Sequence, residues 1–580
     1  MGLLLEQPKR MAHEWRLLSD LAGTEDWFTV QRWRATEAGE LCLDFQLKLL
    51  QTTFDGVLVY PDYFPDVPAY IRPQRGGESW SSHQYLGSGV LCLERGPDNW
   101  DPSVTGVDMI RSANRLLWNE ILRAVVPDAL AVTSRHTLTR GQDLRAETWR
   151  FILTPGLFRS LEGSDLSKPV KLKAAVSYLA GRSVTVVTAL GTPAVPVAGV
   201  PQTMADVCFD LSGCVVSVDS VAALGKCTDA ITLKAALGMA WPWPEELEST
   251  AQMLVLHDVG GDMRTFRLSG GAAPVYREYH VVDFTETSPS RLPAEFSKLS
   301  EMSVAIVGLG SLGSKIAVSL ARTGVKRFVL VDDDVLAPQN LVRNELNWLD
   351  VGYAKVDAVA RELKLVAPEV EVKTLVLRVA GQENPLVAAS LSRDLAGCNL
   401  VIDATASPDA FVALSALCKR AKMAMVWGEV FGGGAGALMA RSRPGLDADP
   451  LHVRAHIHGV MSAMAPVPEV KSDRYGIEAD GRVYVAADAD VSALAASMTQ
   501  FALDAVCAGS ESEYPVAAYL IGFRKYWEFR QPFDTIPIDC SGAPRPMGSP
   551  EELTSQDEVE LTELESAVEA SRNASDNASA

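Results

Sequence analysis

Apolar positions divide the chain into four regimes. Residues 1 to about 145 open on helix-like spacing and then alternate through "GELCLDFQLKLL" and "GVLVYP", which read as strands. They close on "VDMIRSANRLLWNEILRAVV", whose apolar residues recur at helical intervals and predict an amphipathic helix. From 146 to 285, short β-like runs ("SVTVVTAL", "AQMLVLHDV", "EYHVVDF") are separated by turns, and no chemistry is legible in them. From 286 to about 510, strand and helix patterns alternate, the signature of a parallel α/β sheet. The run "VAAYLIGFRKYWEFR" reads as one further strand, followed by a Pro-rich loop ending near residue 548. Residues 549–580 are acidic, Ser/Asn-rich and free of aromatics, so the second half of this tail is expected to be disordered.

Charge narrows the function classes. Asp and Glu number 73 against 53 Lys and Arg, a net charge of −20, which argues against a nucleic-acid surface. No run of roughly 18 apolar residues occurs, and the N-terminus lacks a signal-peptide core, so the expectation is a cytoplasmic protein with no membrane contact. Nine cysteines include no C-x-x-C pair, which speaks against a zinc ribbon or a dithiol site, and Cys208, Cys214 and Cys227 read as structural.

The most informative segment is "SVAIVGLGSLGSKIAVSLARTGVKRFVLVDDD". A strand, Gly308, Gly310 and Gly313, a helix, a second strand and Asp332 follow in order. Glycines let backbone N–H groups approach a phosphate at the positive end of a helix, and the acid can accept from a ribose. A nicotinamide-dependent oxidoreductase would need nothing more. Here Asn340, Arg343 and Lys355 follow, cationic or amide groups suited to a phosphate chain, and they argue against that alternative.

This stretch, about 298 to 440, resembles the adenylation domain of ubiquitin-activating enzymes and their relatives in thiamine and molybdopterin biosynthesis. That pattern of G-x-G-x-x-G, D-x-D, N-x-x-R and Lys falls on Gly308, Gly310, Gly313, Asp332, Asp334, Asn340, Arg343 and Lys355. The resemblance implies ATP and Mg²⁺ as cofactors and a homodimer whose partner arginine reaches the triphosphate, for which Arg291 is the candidate. It departs where the family has a metal-holding aspartate in D-x-T-D. Here "VIDATASPDA" puts Ala406 in that place, leaving Asp403, or Asp409 nearby, to supply the carboxylate.

An acyl-adenylate is usually passed to a thiolate. Taken alone, Cys92 between two leucines is a small apolar filler. With its surroundings it resembles the ubiquitin-conjugating enzymes, whose Y-P-x-x-x-P, H-P-N, Cys-Leu and W-x-P elements match Tyr60, Pro61, Pro65, His83, Gly89, Cys92, Leu93, Trp100 and Pro102 in order. His83 is followed by Gln84 and Tyr85, so the asparagine that stabilises the oxyanion is missing, a donor worth roughly 3 kcal/mol in analogous sites. Gln84 or backbone N–H groups are the expected substitutes. Cys398 and Cys418 lie in apolar or helical surroundings and Cys507 at a helix end. Cys540, flanked by Pro, Ser and Gly, is expected to be an exposed loop thiol and the second carrier.

The expected architecture is a multidomain α/β and α+β protein. It has an N-terminal ubiquitin-conjugating-like α+β domain (1–145), a linker domain (146–285), a Rossmann-like adenylation domain with a parallel sheet (286–548) and the tail. This order resembles the bacterial fusion enzymes of CBASS antiphage operons. The resemblance implies adenylation of the C-terminus of a cGAS-like nucleotidyltransferase, thioesters on Cys540 and then Cys92, and transfer to a target lysine, priming antiphage signalling. A bacterial ubiquitin-like protein is an equally chemical donor. Ala406 and the altered H-P-N element also leave open a non-catalytic assembly protein that kept both folds.

Overall fold

The computed structural model describes residues 2–125, 147–285, 292–464 and 476–541 except 38, 82, 86, 87, 244–246, 480 and 481, together with Leu144, Gln556 and residues 559–568. The chain forms two compact units, Met1–Ala146 and Glu147–Ala580.

In the first unit, the helix Pro8–Thr24 precedes an antiparallel meander. Its strands are β1 (Phe28–Ala35), β2 (Leu41–Leu49), β3 (Thr52–Tyr60) and β4 (Tyr70–Pro73), in that spatial order. The helix Gly106–Val125 follows the Cys92 loop. Alternation in β2 sends Leu43, Phe45 and Leu47 into a core with Leu18, Leu21, Ile110 and Leu117 of the two helices. Cys42 joins Val57 and Val59 in a small cluster of its own. A buried carboxylate ties these elements together. Glu14 Oε2 accepts from the Tyr60 hydroxyl at 2.9 Å and from the Gly106 N–H, an otherwise unpaired donor at a helix start, at 2.7 Å. Arg10 Nε donates to Glu14 Oε1 at 3.0 Å, while its other nitrogens reach the Pro102 and Val104 carbonyls at 2.7 and 2.6 Å. Burial, then the Glu14 carboxylate beside it, pushes the Tyr60 phenol well above its ordinary range.

In the second unit, residues 149–283 make β5 (Trp149–Leu153), β6 (Val170–Leu179), β7 (Arg182–Leu190), β8 (Val195–Pro196), β9 (Phe209–Val218), β10 (Gln252–Asp258), β11 (Met263–Ser269) and β12 (Val275–Asp283). Their order is β5-β12-β11-β10-β9-β6-β7-β8, and β5 also pairs with β7, so seven strands close into a ring with β8 appended. The continuous apolar run of β10 follows from this. Met253 and Val255 enter one cluster, while Leu254 and Leu256 enter another with Leu233 and Leu237 of the helix Ala230–Leu237.

Beyond it, β13 (Ser303–Val307), β14 (Arg327–Val331), β15 (Glu371–Leu375), β16 (Leu400–Asp403), β17 (Ala424–Phe431) and β18 (Gly436–Ser442) build a second large sheet. After the short hairpin β19 (Gly476–Ala479) and β20 (Arg482–Val485), β21 (Ala518–Gly522) and β22 (Thr535–Ile538) complete it. The order is β15-β14-β13-β16-β17-β18-β21-β22, with β15 to β17 parallel and the rest antiparallel. The fold class is therefore the mixed α/β multidomain architecture expected. The strand order reverses between β13 and β16, the switch point where α/β sheets open a ligand crevice. Helices Ser311–Arg322, Lys355–Val366 and Asp488–Cys507 cover one face, and Pro385–Ala396, Pro408–Ala421 and Pro450–Ala463 the other.

One local expectation is corrected. The run 516–530 is a strand only over Ala518–Gly522; the chain then turns, with Trp527 in the left-handed region at φ 58°. In the tail, residues 559–568 are helical and exposed, and residues 569–580, most of the half expected to be disordered, lie outside the described residues.

Glu14→Ala would leave the Arg10 charge and the Tyr60 hydroxyl without their acceptor. We expect a loss of about 3 kcal/mol in the first unit, read from thermal or urea unfolding of the full chain, with Glu14→Gln costing less.

Candidate active site

The glycine turn is built by close backbone contact. Gly308 has φ 85°, and a Cβ there would lie 2.9 Å from the Ala404 carbonyl carbon and oxygen. A Cβ on Gly313 would lie 1.9 Å from the Gly308 oxygen, so the helix Ser311–Arg322 can start here only without that side chain. A Cβ on Gly310 would meet nothing within 4 Å, which leaves the helix N-terminus open on that side.

Asp332, at the end of β14, braces the turn. Its Oδ2 accepts from the Leu309 N–H at 2.6 Å and its Oδ1 from the Asp334 N–H at 2.8 Å. Each oxygen keeps a lone pair for a further donor. Lys355, buried at the start of its helix, donates from Nζ to Asp334 Oδ2 at 2.6 Å, while Asp334 itself is exposed. Asn340 acts locally, where its Oδ1 accepts from the Ala337 N–H at 2.9 Å and caps the turn Pro338–Val342. Arg343 donates from Nη1 to the Ala486 carbonyl at 3.1 Å, close to the start of the helix Asp488–Cys507. Lys315, which the sequence pattern does not single out, is held by Asp488 at 2.9 Å and Glu345 at 3.6 Å. Buried Asn344 is equally silent in the sequence. Its Nδ2 donates to the Leu309 carbonyl at 3.2 Å, and nothing in "NLVRNEL" separates it from a solvated asparagine. Arg291 lies outside the described residues.

Beside the turn, at the end of β16, a cavity of about 640 Å³ is lined by residues including Asp403, Ala406, Phe411, Trp427, Arg454 and His458. Asp403 Oδ1 accepts from the Thr405 N–H at 3.0 Å and hydroxyl at 2.6 Å. Burial raises the Asp403 carboxyl above its ordinary value, against the Thr405 hydrogen bonds and the Arg454 charge. The Arg454 guanidinium stacks 4.4 Å from the Phe411 ring, and its Nε donates to His458 Nε2 at 3.4 Å. Ala406 sits at φ 53°, a conformation that aspartate tolerates better than alanine, so the turn has a shape that its side chain suits poorly. Asp409 is exposed and outside the cavity lining. Among the described residues no group of three or more His, Cys, Asp or Glu gathers as a metal cage. Mg²⁺ does not need one, since it binds through one or two carboxylates plus substrate phosphates, and Asp403 fits that part.

In the first unit, the Gln84–Leu91 bridge places Cys92 opposite His83, whose carbonyl accepts from the Cys92 N–H at 2.8 Å. Cys92 is half-buried; burial raises its thiol, a hydrogen bond from Tyr85 lowers it, and Asp98 raises it again. Gln84 is fully occupied. Its Oε1 accepts from the Trp80 N–H at 2.8 Å, and its Nε2 donates to the Glu78 and Gly89 carbonyls at 2.9 and 2.8 Å, so it braces the loop and is not placed as a spare oxyanion donor. The Trp100 indole donates to the Pro65 carbonyl at 2.6 Å, and Tyr60 stacks edge-on against Phe64 at 4.8 Å. The proline and aromatic elements thus hold the loop after Cys92.

Cys540 is not an exposed loop thiol. It lies two residues beyond Ile538 of β22, packs with Ile538 in the core at 3% exposure, and burial pushes it up to about 11. Cys398 and Cys418 are buried as expected, and Cys507 is half-buried.

The glycine turn after β13 and the strands from β13 to β18 lie in the segment that comparison with known proteins picks out. Residues 288–449 match the ThiF family. The chain thus carries a ThiF-family adenylation domain. It is 33% identical over 158 residues to the uncharacterized protein y4qC of Sinorhizobium fredii, 26% of this chain and 26% of that protein. It is 36% identical over 81 residues to the ATP-dependent ubiquitin transferase-like protein Cap2 of Pseudomonas aeruginosa, 13% of this chain and 15% of that protein. The matches therefore span about a quarter or less of these relatives' lengths. The crystal structure of E. coli MccB with AMPCPP and MccA aligns at 19% identity and a TM-score of 0.31, covering 44% of this chain and 68% of that one.

The ThiF-family domain holds Asp403 at a cost. Its ionised form is disfavoured by burial, so above the ordinary carboxylate pKa the folded state is weakened relative to a neutral side chain. Asp403→Asn is expected to raise the melting temperature at neutral pH, a gain that fades at acid pH where the carboxyl is neutral folded or unfolded. Equal melting temperatures at pH 7 would contradict this reading.

Proposed function

We propose that this protein is an ATP-dependent conjugation enzyme. It adenylates the C-terminal carboxylate of a protein donor in the ThiF-family domain, carries the acyl group on Cys92 as a thioester, and transfers it to a target lysine. The observation that carries this reading is the open glycine turn packed against the Ala404–Thr405 backbone at the β13/β16 switch point, next in the chain to Asp403 and its cavity. ATP would lie along the turn with Asp332 toward the ribose and Lys355 and Arg343 toward the phosphates. Mg²⁺, held by Asp403 and the phosphates, would offset charge on the pyrophosphate leaving group. The donor carboxylate would enter by the Arg454 side of the cavity and attack the α-phosphorus. A cGAS-like nucleotidyltransferase or a ubiquitin-like protein fits as donor, and CBASS antiphage signalling as setting. The burial of Cys540 leads us to place the acceptor thiol at Cys92 alone. The exposed apolar run of Val342, Trp348, Leu349 and Tyr353 supports a homodimer built on this domain.

Lys355→Ala and Arg343→Ala should each weaken Mg·ATP binding by about tenfold or more, since each removes a charged donor to phosphate. Wild-type ATP affinity in both would sink the clamp. With a donor in hand, Cys92→Ala should abolish the reductant-sensitive adduct while Cys540→Ala should keep it. The reverse pattern would return the first thiol to Cys540.

A further inference from the structure

The missing H-P-N asparagine leaves the Cys92 centre in need of a donor, and the register of its loop says which side chain can supply one. Residues 83–85 and 90–92 run antiparallel about the Gln84–Leu91 bridge. The Tyr85 N–H donates to the Val90 carbonyl at 2.8 Å and the Cys92 N–H to the His83 carbonyl at 2.8 Å. Successive side chains on such a ladder alternate between faces. Gln84 and Leu91 therefore share one face, where Leu91 is buried and Gln84 is spent on three bonds. His83, Tyr85, Val90 and Cys92 share the other. Cys92 is opposite His83 and diagonal to Tyr85, a separation an aromatic side chain spans. The two groups act on each other's ionisation, Tyr85 lowering the Cys92 thiol and Cys92 raising the phenol. Tyr85 is 48% exposed, which leaves its side chain room to follow an acyl group outward. We infer that the Tyr85 hydroxyl is the hydrogen-bond donor that stabilises negative charge at the Cys92 centre, first on the sulfur and then on the acyl oxygen.

This rests on Cys92 carrying an acyl group, but the assignment has consequences that do not need the donor. When the free thiol ionises, the hydroxyl donates to the thiolate. During transfer, an amine nitrogen attacks the thioester carbon and the C=O pair moves onto oxygen, where the Tyr85 O–H meets it. The pair then returns, the C–S bond breaks, sulfur leaves as thiolate to which Tyr85 again donates, and the amine proton passes to solvent. The phenol itself is raised, by burial first and then by the neighbouring Cys92, so it stays protonated where lysine amines react. Asp98 is the other ionisable group acting on this thiol, and its charge opposes the thiolate, which makes a donor on the tyrosine side more consequential.

The test uses the full chain and iodoacetamide, with alkylation at the Cys92 peptide followed by mass spectrometry across pH. Tyr85→Phe should move the alkylation midpoint up by about one pH unit and slow alkylation at neutral pH about tenfold. Tyr85→Gln, which returns a donor of similar reach, should bring it back toward wild type. In a second assay, Cys92 acetylated by exchange with a small alkyl thioester is discharged by hydroxylamine. Tyr85→Phe should slow that discharge about tenfold at unchanged melting temperature. Wild-type midpoint and discharge rate in Tyr85→Phe would overturn the assignment, whatever the donor proves to be. A normal shift here with no conjugation by any donor would instead count against the proposed function alone.

Discussion

Two main chains meet at the β13/β16 switch point with no room for a side chain between them, and the candidate site follows from that contact. Gly308 faces the Ala404–Thr405 backbone, and Gly313 faces the Gly308 carbonyl so closely that any Cβ would collide with it. The contact fixes where the helix Ser311–Arg322 begins and points its unpaired N–H groups into the crevice. It also sets Ala404, Thr405 and therefore Asp403 beside the turn, because β16 pairs with β13 in register from Val304–Leu400 to Val307–Asp403. A larger residue at Gly308 or Gly313 would separate the two halves of the site, not merely fill a gap.

Around this rigid centre the cations are held by their own acids. Lys355 is buried against Asp334, Lys315 against Asp488 and Glu345, and Arg343 is tied to the Ala486 carbonyl. On the proposed reading, clamping long side chains in advance would lower the entropy lost when a phosphate chain arrives, at the expense of replacing one acidic partner by another. The helix Asp488–Cys507 therefore matters to the candidate site although it follows Lys355 by more than a hundred residues. Lys315 and Arg343 are gathered at its start.

Most of this was legible in the sequence where the constraint is local. The glycines, Asp332 and Lys355 follow one another within fifty residues, and each has a backbone or charge reason to be where it is. What was not legible depends on distant pairing. The seven-stranded ring closes through β5 with β12 and β7, so no short window of 146–285 contains its logic. Cys540 escapes a local reading for the same reason. Pro, Ser and Gly around it suggest a free loop, yet β22 pairs with β21, and the two-residue period carries Cys540 into the core behind Ile538. Gln84 has the chemistry of a substitute amide donor, but it lies on the wrong side of its ladder and is consumed by the loop itself.

On the proposed reading, that ladder also accounts for how Cys92, a thiol raised by burial and by Asp98, would suit acyl transfer. A thiol with a high pKa is the stronger nucleophile once ionised but the poorer leaving group. Attack on an acyl-adenylate asks little of it, because the anhydride already carries the activation. Release to an amine asks more, since the same sulfur must then depart with the electron pair. A donor that follows the charge from sulfur to oxygen and back eases release, while burial and Asp98 keep the free thiol above its ordinary value in spite of that donor. On the proposed reading, an exposed phenol on the Cys92 side of the ladder meets that requirement, and an amide locked on the opposite side does not.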